Sequence, residues 1–91
     1  MTSLQITISG RVQGVGFRYY IVRTAYELQI KGIIKNLPDG RVYIEAEGEP
    51  KNMELFLEKC RQGPPLAHIT QMIVNECPPT GYNDFRIEYG Y

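Results

Sequence analysis

Leu4, Ile6 and Ile8 alternate with Gln5, Thr7 and Ser9, the period of a strand with one buried face. The period then changes. Phe17, Ile21, Ala25 and Leu28 fall at helical spacing and predict a helix from about Phe17 to Gln29, starting near Arg18. Gly32–Leu37 and Arg41–Glu47 read as a second and a third strand. Between them Pro38-Asp39-Gly40 signals a tight turn, because proline presets the first central φ and glycine accepts a positive one. In the third strand Val42, Ile44 and Ala46 form the apolar row. Tyr43, Glu45 and Glu47 form the opposite row; Glu45, Glu47 and Glu49 look like a paired-carboxylate set, but Glu45 and Glu47 share one outward face and are read as solvated. Glu49-Pro50 opens a second helix whose stripe is Met53, Phe56, Leu57 and Cys60, and Gly63-Pro64-Pro65 ends it. Ile69–Val74 reads as a fourth strand, and Phe85, Ile87 and Tyr89 alternate as a last one after the loop Pro78-Pro79-Thr80-Gly81.

The order β-α-β-β-α-β with a short C-terminal strand predicts an α+β fold, a ferredoxin-like two-layer α/β sandwich. A mixed, mostly antiparallel sheet would be covered on one face by two helices, with a right-handed crossover between the first two strands. The 91 residues suit one domain spanning 1–91. No stretch has the length of a membrane span, and the N-terminus lacks the basic and apolar segments of a signal peptide, so a cytoplasmic protein without a membrane partner is expected. Cys60 and Cys77 form no CxxC pair and are read as ordinary thiols, with a structural disulfide as the alternative.

Charge is balanced overall but unevenly placed. Residues 1–45 hold six Lys/Arg against three Asp/Glu, and residues 46–91 hold four against seven. A basic first half suits a local anionic ligand, whereas zero net charge argues against nucleic acid as a partner.

The candidate chemistry lies in Gly10-Arg11-Val12-Gln13-Gly14-Val15-Gly16-Phe17-Arg18, between a strand and a helix. Glycines let backbone N–H groups turn toward a ligand, the first helical turn leaves donors unpaired, and an arginine fork grips two oxygens. The spacing is neither GxGxxG nor a nucleotide P-loop. Two readings stay open: a tight connection without a ligand, and a phosphate nest in which the Gly14, Val15, Gly16, Phe17, Arg18 and Tyr19 amides converge with the Arg18 side chain. Arg11 and Arg23 are read as surface, with Arg11 at the loop rim. Asn36, before the turn, is either a turn asparagine bonded to its own backbone or a neutral amide that positions a water.

His68, the single histidine, reads as a surface or edge residue; Thr24 and Thr70 have no evident base partner, and no metal-ligand cluster is visible. A phosphate grip without base, nucleophile or metal requires a substrate that is already activated, such as a carboxylic–phosphoric anhydride. On the residues alone, its hydrolysis competes with a non-catalytic phosphate- or phosphoprotein-binding module.

The segment Gly10–Arg18, together with Gly32-Ile33-Ile34-Lys35-Asn36-Leu37-Pro38-Asp39-Gly40-Arg41-Val42 continuing to Gly48, resembles the two signatures of the acylphosphatase family. The resemblance covers essentially the whole chain. It implies a ferredoxin-like enzyme, expected as a monomer, that hydrolyses small-molecule acyl phosphates to a carboxylate and inorganic phosphate without a cofactor. Phosphate would be product and inhibitor. Arg18 then corresponds to the arginine that binds the phosphoryl oxygens with the loop amides, and Asn36 to the asparagine that orients the attacking water. Ile33 stands where the family usually has an aromatic residue, a change that removes no group from this mechanism. The same domain occurs in larger proteins that mature metal enzymes; standing alone, this chain is expected to be the free enzyme.

Overall fold

The computed structural model describes residues 1–89. Seven elements follow in order: β1 (Thr2–Arg11), α1 (Phe17–Glu27), β2 (Lys31–Asn36), β3 (Val42–Gly48), α2 (Pro50–Gln62), β4 (His68–Glu76) and β5 (Phe85–Ile87). The strands form one sheet in the order β4-β1-β3-β2-β5. Neighbours are antiparallel except β2 and β5, which run parallel. The expected mixed sandwich is the one observed.

The apolar period of each strand explains which face the helices cover. Ile6, Ile44 and Ile34 occupy one register row across β1, β3 and β2, all buried. Ile21 and Ala25 of α1 and Met53, Phe56 and Cys60 of α2 pack into the same core, and Phe85 of β5 joins it beside Phe56. The hydroxyl of Tyr20 donates to the Lys59 carbonyl at 2.9 Å, joining α1 to the last turn of α2. Burial first, and then the Cys60 side chain, raise the phenol pKa of Tyr20.

Element ends differ from the expectations for local reasons. α1 stops at Glu27, two residues early: the Leu28 amide closes it on the Thr24 carbonyl, and Gln29 takes a left-handed φ of 56°. β1 and β4 extend further than their apolar alternation because they pair along their length, through an irregularity between Ser9 and Gly10. The last strand ends at Ile87, leaving Tyr89 beyond it.

The expected solvated row on β3 is corrected. Glu47 is only 3% exposed. Its carboxylate accepts from the backbone N–H groups of Thr80, Gly81 and Tyr82 and from the Ser3 hydroxyl. Glu45 accepts from the hydroxyls of Tyr43 and Tyr82. The connection from β4 to β5 must travel from one edge of the sheet to the other, and it crosses the face opposite the helices, closing over these carboxylates. Cys60 is a buried free thiol and Cys77 a half-buried one, so no disulfide forms. Burial pushes the Cys60 thiol well above its ordinary pKa.

Candidate active site

β1 and β2 both flank β3 antiparallel, so they run parallel to each other and end at the same end of the sheet. One register row there contains Ile8, Val42 and Asn36. Asn36 follows Ile34 by two residues and so belongs to the helix-covered face, the face on which α1 begins. Two inter-strand spacings, about 10 Å, separate the last core residue of β1 from Asn36. The loop of residues 12–16 opens from the end of β1 into the start of α1, so Asn36 and the first turn of α1 share one end of one face.

Within the loop, Val12, Val15 and Phe17 are buried, whereas Gly14 and Gly16 face outward. Both glycines have positive φ, 73° and 77°, and a Cβ on either would meet no atom within 4 Å. Here glycine is required by conformation, and the space above it is open. Gly16 caps α1 without a side-chain hydrogen bond, and no acidic residue lies in the first turn. The first intrahelical bond runs from the Tyr20 N–H to the Gly16 carbonyl at 3.1 Å, so the N–H groups of Phe17, Arg18 and Tyr19 precede the helical ladder. That arrangement favours an anion.

The loop is tied to the β2–β3 turn. The Gln13 side-chain amide donates to the carbonyls of Leu37 at 2.9 Å and Arg41 at 3.0 Å. The turn closes on itself through the Leu37 N–H to the Arg41 carbonyl, 2.8 Å, and the Gly40 N–H to the Leu37 carbonyl, 3.2 Å. Asp39 accepts from the Arg41 backbone N–H and from its guanidinium, and the backbone bond first of all holds the Asp39 carboxyl below its usual pKa.

Asn36 sits half-buried at the head of this turn. Its Oδ1 is fully buried and accepts no hydrogen bond from the protein. An amide bonded to its own turn would have used that oxygen, so the Asx-turn alternative is not realised there. Arg18, also half-buried, places its guanidinium over the Tyr89 ring, 5.4 Å from the centroid, and makes no ion pair among the described residues. Tyr19 beside it is exposed.

The other titratable or hydroxyl candidates lie elsewhere. Arg11 is exposed and pairs across the sheet with His68, also exposed, at the β4 edge; β1 and β3 stand between His68 and Asn36's strand. Arg23 and Thr70 are exposed, and the buried Thr24 hydroxyl donates to the Tyr20 carbonyl at 2.8 Å. Ile33 is buried on the outer face opposite Glu45, one residue out of phase with Asn36, so its side chain is part of the packing and not of the loop end. Among the described residues no three His, Cys, Asp or Glu side chains cluster as metal ligands, and no helix is long and apolar enough to cross a membrane.

Three residues carry weight that periodicity did not signal: Gln13, Glu47 and Tyr89. Gln13 is a single polar residue in an irregular loop, and Glu47 and Tyr89 act through contacts distant in sequence. A polar residue between Val12 and Gly14, in a loop whose other side chains are apolar up to Phe17, is the one hint the sequence offers for Gln13.

Known proteins resemble the chain closely. The acylphosphatase family model matches residues 4–87. An acylphosphatase of Archaeoglobus fulgidus is 49% identical over 98% of this chain and 100% of its own, and one of Thermotoga maritima is 46% identical over 98% and 99%. The crystal structure of acylphosphatase from Bacillus subtilis superimposes with a TM-score of 0.95 at 39% identity, covering 98% of this chain and 100% of the other.

Proposed function

The chain belongs to the acylphosphatase family and is an acyl phosphate hydrolase, and from that premise we propose how its own residues divide the work. Arg18 and the backbone N–H groups of Gly14, Val15, Gly16, Phe17, Arg18 and Tyr19 hold the phosphoryl oxygens. Asn36 orients the water that attacks phosphorus, its Oδ1 accepting a hydrogen bond from that water and its NH₂ group directed to a phosphoryl oxygen. As the water oxygen bonds to phosphorus, the phosphorus–oxygen bond to the acyl group breaks and the carboxylate departs with the electron pair. One water proton passes to a phosphate oxygen, and the other stays on the oxygen now bonded to phosphorus.

The observation that carries this reading is the buried, unpartnered Asn36 Oδ1. Leaving a buried acceptor unpaired is unfavourable by about 1–3 kcal/mol, and a water placed there would satisfy it. Because carboxylate is a good leaving group, the protein need supply only position and charge stabilisation, with no general base. A neutral amide performs this role without repelling the anion beside it.

The test is hydrolysis of a simple aryl acyl phosphate by metal-free protein, with inorganic phosphate as inhibitor. Turnover with competitive inhibition by phosphate is expected. Phosphate binding without turnover would instead identify a phosphate-binding module.

A further inference from the structure

Arginine is a long, rotamer-rich side chain, and a grip on phosphoryl oxygens is effective only if the guanidinium is already near its working position. Among the described residues no carboxylate pairs with Arg18. What it has is the face of Tyr89, with the guanidinium carbon 5.4 Å from the ring centroid. A cation over an aromatic face is attracted by the ring quadrupole, which favours the rotamers that keep it there.

Tyr89 is 72% exposed, so its own burial does not explain where it stands. Its backbone does. β5 is only three residues long and pairs on one side, with β2. Two further bonds frame that short ladder: the Gly32 N–H to the Asp84 carbonyl at 2.8 Å and the Glu88 N–H to the Ile34 carbonyl at 2.9 Å. Ile87 pairs with Ile34, so continuing the parallel register carries Tyr89 level with Asn36. Ahead of β5, the strap across the outer face is fixed on the Glu47 carboxylate by the Gly81 N–H at 3.1 Å and the Tyr82 N–H at 3.2 Å. The chain is thus anchored before β5, and β5 delivers the ring to the loop end of the sheet.

We propose that Tyr89 is a positioning residue for Arg18, its ring holding the guanidinium ready for the phosphoryl group. The proposal rests on the assignment of Arg18 as the phosphoryl grip. It requires the ring face and not the hydroxyl, which separates it from any role of Tyr89 as an acid or a hydrogen-bond donor.

The experiment compares wild type, Tyr89→Leu, Tyr89→Phe and Arg18→Ala for hydrolysis of an aryl acyl phosphate, competitive inhibition by inorganic phosphate, and thermal midpoint. An exposed cation–π contact corresponds to a change of roughly two- to five-fold. Tyr89→Leu should raise KM and the phosphate inhibition constant together by that factor, with a smaller change in kcat and an unchanged thermal midpoint. Tyr89→Phe should restore both constants. Unchanged constants in Tyr89→Leu, failure of Phe to restore them, or a loss that tracks a falling thermal midpoint would overturn the proposal. Arg18→Ala distinguishes the two levels. If it keeps normal phosphate inhibition, the grip assignment fails and this proposal with it; if it loses inhibition while Tyr89→Leu does not, only the role of Tyr89 fails.

Discussion

The Gln13 amide donates to the Leu37 carbonyl at 2.9 Å, joining the glycine-rich loop to the residue directly after Asn36. With its second bond, to the Arg41 carbonyl, Gln13 fixes the distance between the proposed phosphoryl grip and the proposed water-positioning amide. In-line displacement depends on that distance, and a misplacement of about 1 Å can reduce rate on the order of 10²-fold. Gln13→Ala should therefore lower kcat about ten-fold or more while destabilising the fold by only about 1–2 kcal/mol, the loss expected for two hydrogen bonds. Kinetics and denaturant unfolding of one variant check both halves. A kcat within two-fold of wild type would show that the turn holds its place without Gln13.

Asn36 should separate activity from stability. For Asn36→Ala we expect kcat to fall by about 10²-fold or more, while inorganic phosphate still inhibits through the loop and Arg18. Removing a buried acceptor that has no protein partner should leave stability unchanged or slightly raised, because an unfavourable burial disappears. Near-normal kcat would exclude Asn36 from the chemistry, and a large loss of stability would mean that its oxygen is satisfied in solution by a structural contact.

Much of this architecture is legible in the chain because the two periods are clean. Leu4, Ile6 and Ile8 define the buried row of β1, and Met53, Phe56 and Cys60 define the stripe of α2, each signal local and repeated. The glycine-rich loop was equally visible as a candidate site, since Gly14 and Gly16 flank Val15 in a pattern that no regular element requires. The outer face was not. The alternation of β3 correctly placed Glu45 and Glu47 on the same side of the sheet, yet what covers that side arrives from more than thirty residues away. Strand periodicity reports which face a residue occupies and carries no information about a later segment crossing it. Tyr89 escaped for the same reason: its relation to Arg18 is created by the β2–β5 pairing.

Two glycines should respond differently to the same substitution. A Cβ on Gly10 would collide with the His68 carbonyl oxygen on the neighbouring strand, whereas one on Gly14 meets nothing. Gly10→Ala must separate β1 from β4 at their irregularity and should destabilise the protein by about 3 kcal/mol or more. Gly14→Ala faces only the left-handed backbone penalty, about 1–2 kcal/mol. If the loop amides bind phosphate, the Gly14 variant should lose proportionally more phosphate affinity than stability. Equal destabilisation of the two variants would contradict the close approach at Gly10.

Glu47 should behave as a structural carboxylate. Its removal in Glu47→Ala leaves the N–H groups of Thr80, Gly81 and Tyr82 without their shared acceptor. We expect a loss of about 3 kcal/mol, with faster amide exchange confined to the strap and β5. Glu47→Gln retains one acceptor oxygen and should lose less. Exchange spreading uniformly through the sheet would instead mean that the strap and the core unfold as one unit.

The two tyrosines that donate to Glu45 predict the alkaline limb of stability. Burial first, and then the hydrogen bond to the Glu45 carboxylate, push the Tyr82 phenol from 10.0 up to about 12; Tyr43 is raised in the same direction for the same reasons. A phenol that keeps its proton longer in the folded state makes folding bind protons in that window, so stability falls as pH rises. The contribution is fully present below pH 10 and lost as pH rises through about 12. Wild type should hold its thermal midpoint near neutral pH, begin to decline near pH 9 as the buried Cys60 thiol enters its window, and fall further above about pH 10 as the tyrosines enter theirs. Tyr82→Phe should start lower, because it lacks the bond to Glu45, and decline less steeply. The Cys60 thiol and the Tyr20 and Tyr43 phenols, also raised by burial, are common to both proteins, so the difference in slope reports on Tyr82. Parallel curves across the alkaline range would mean that the Tyr82–Glu45 bond does not persist in solution.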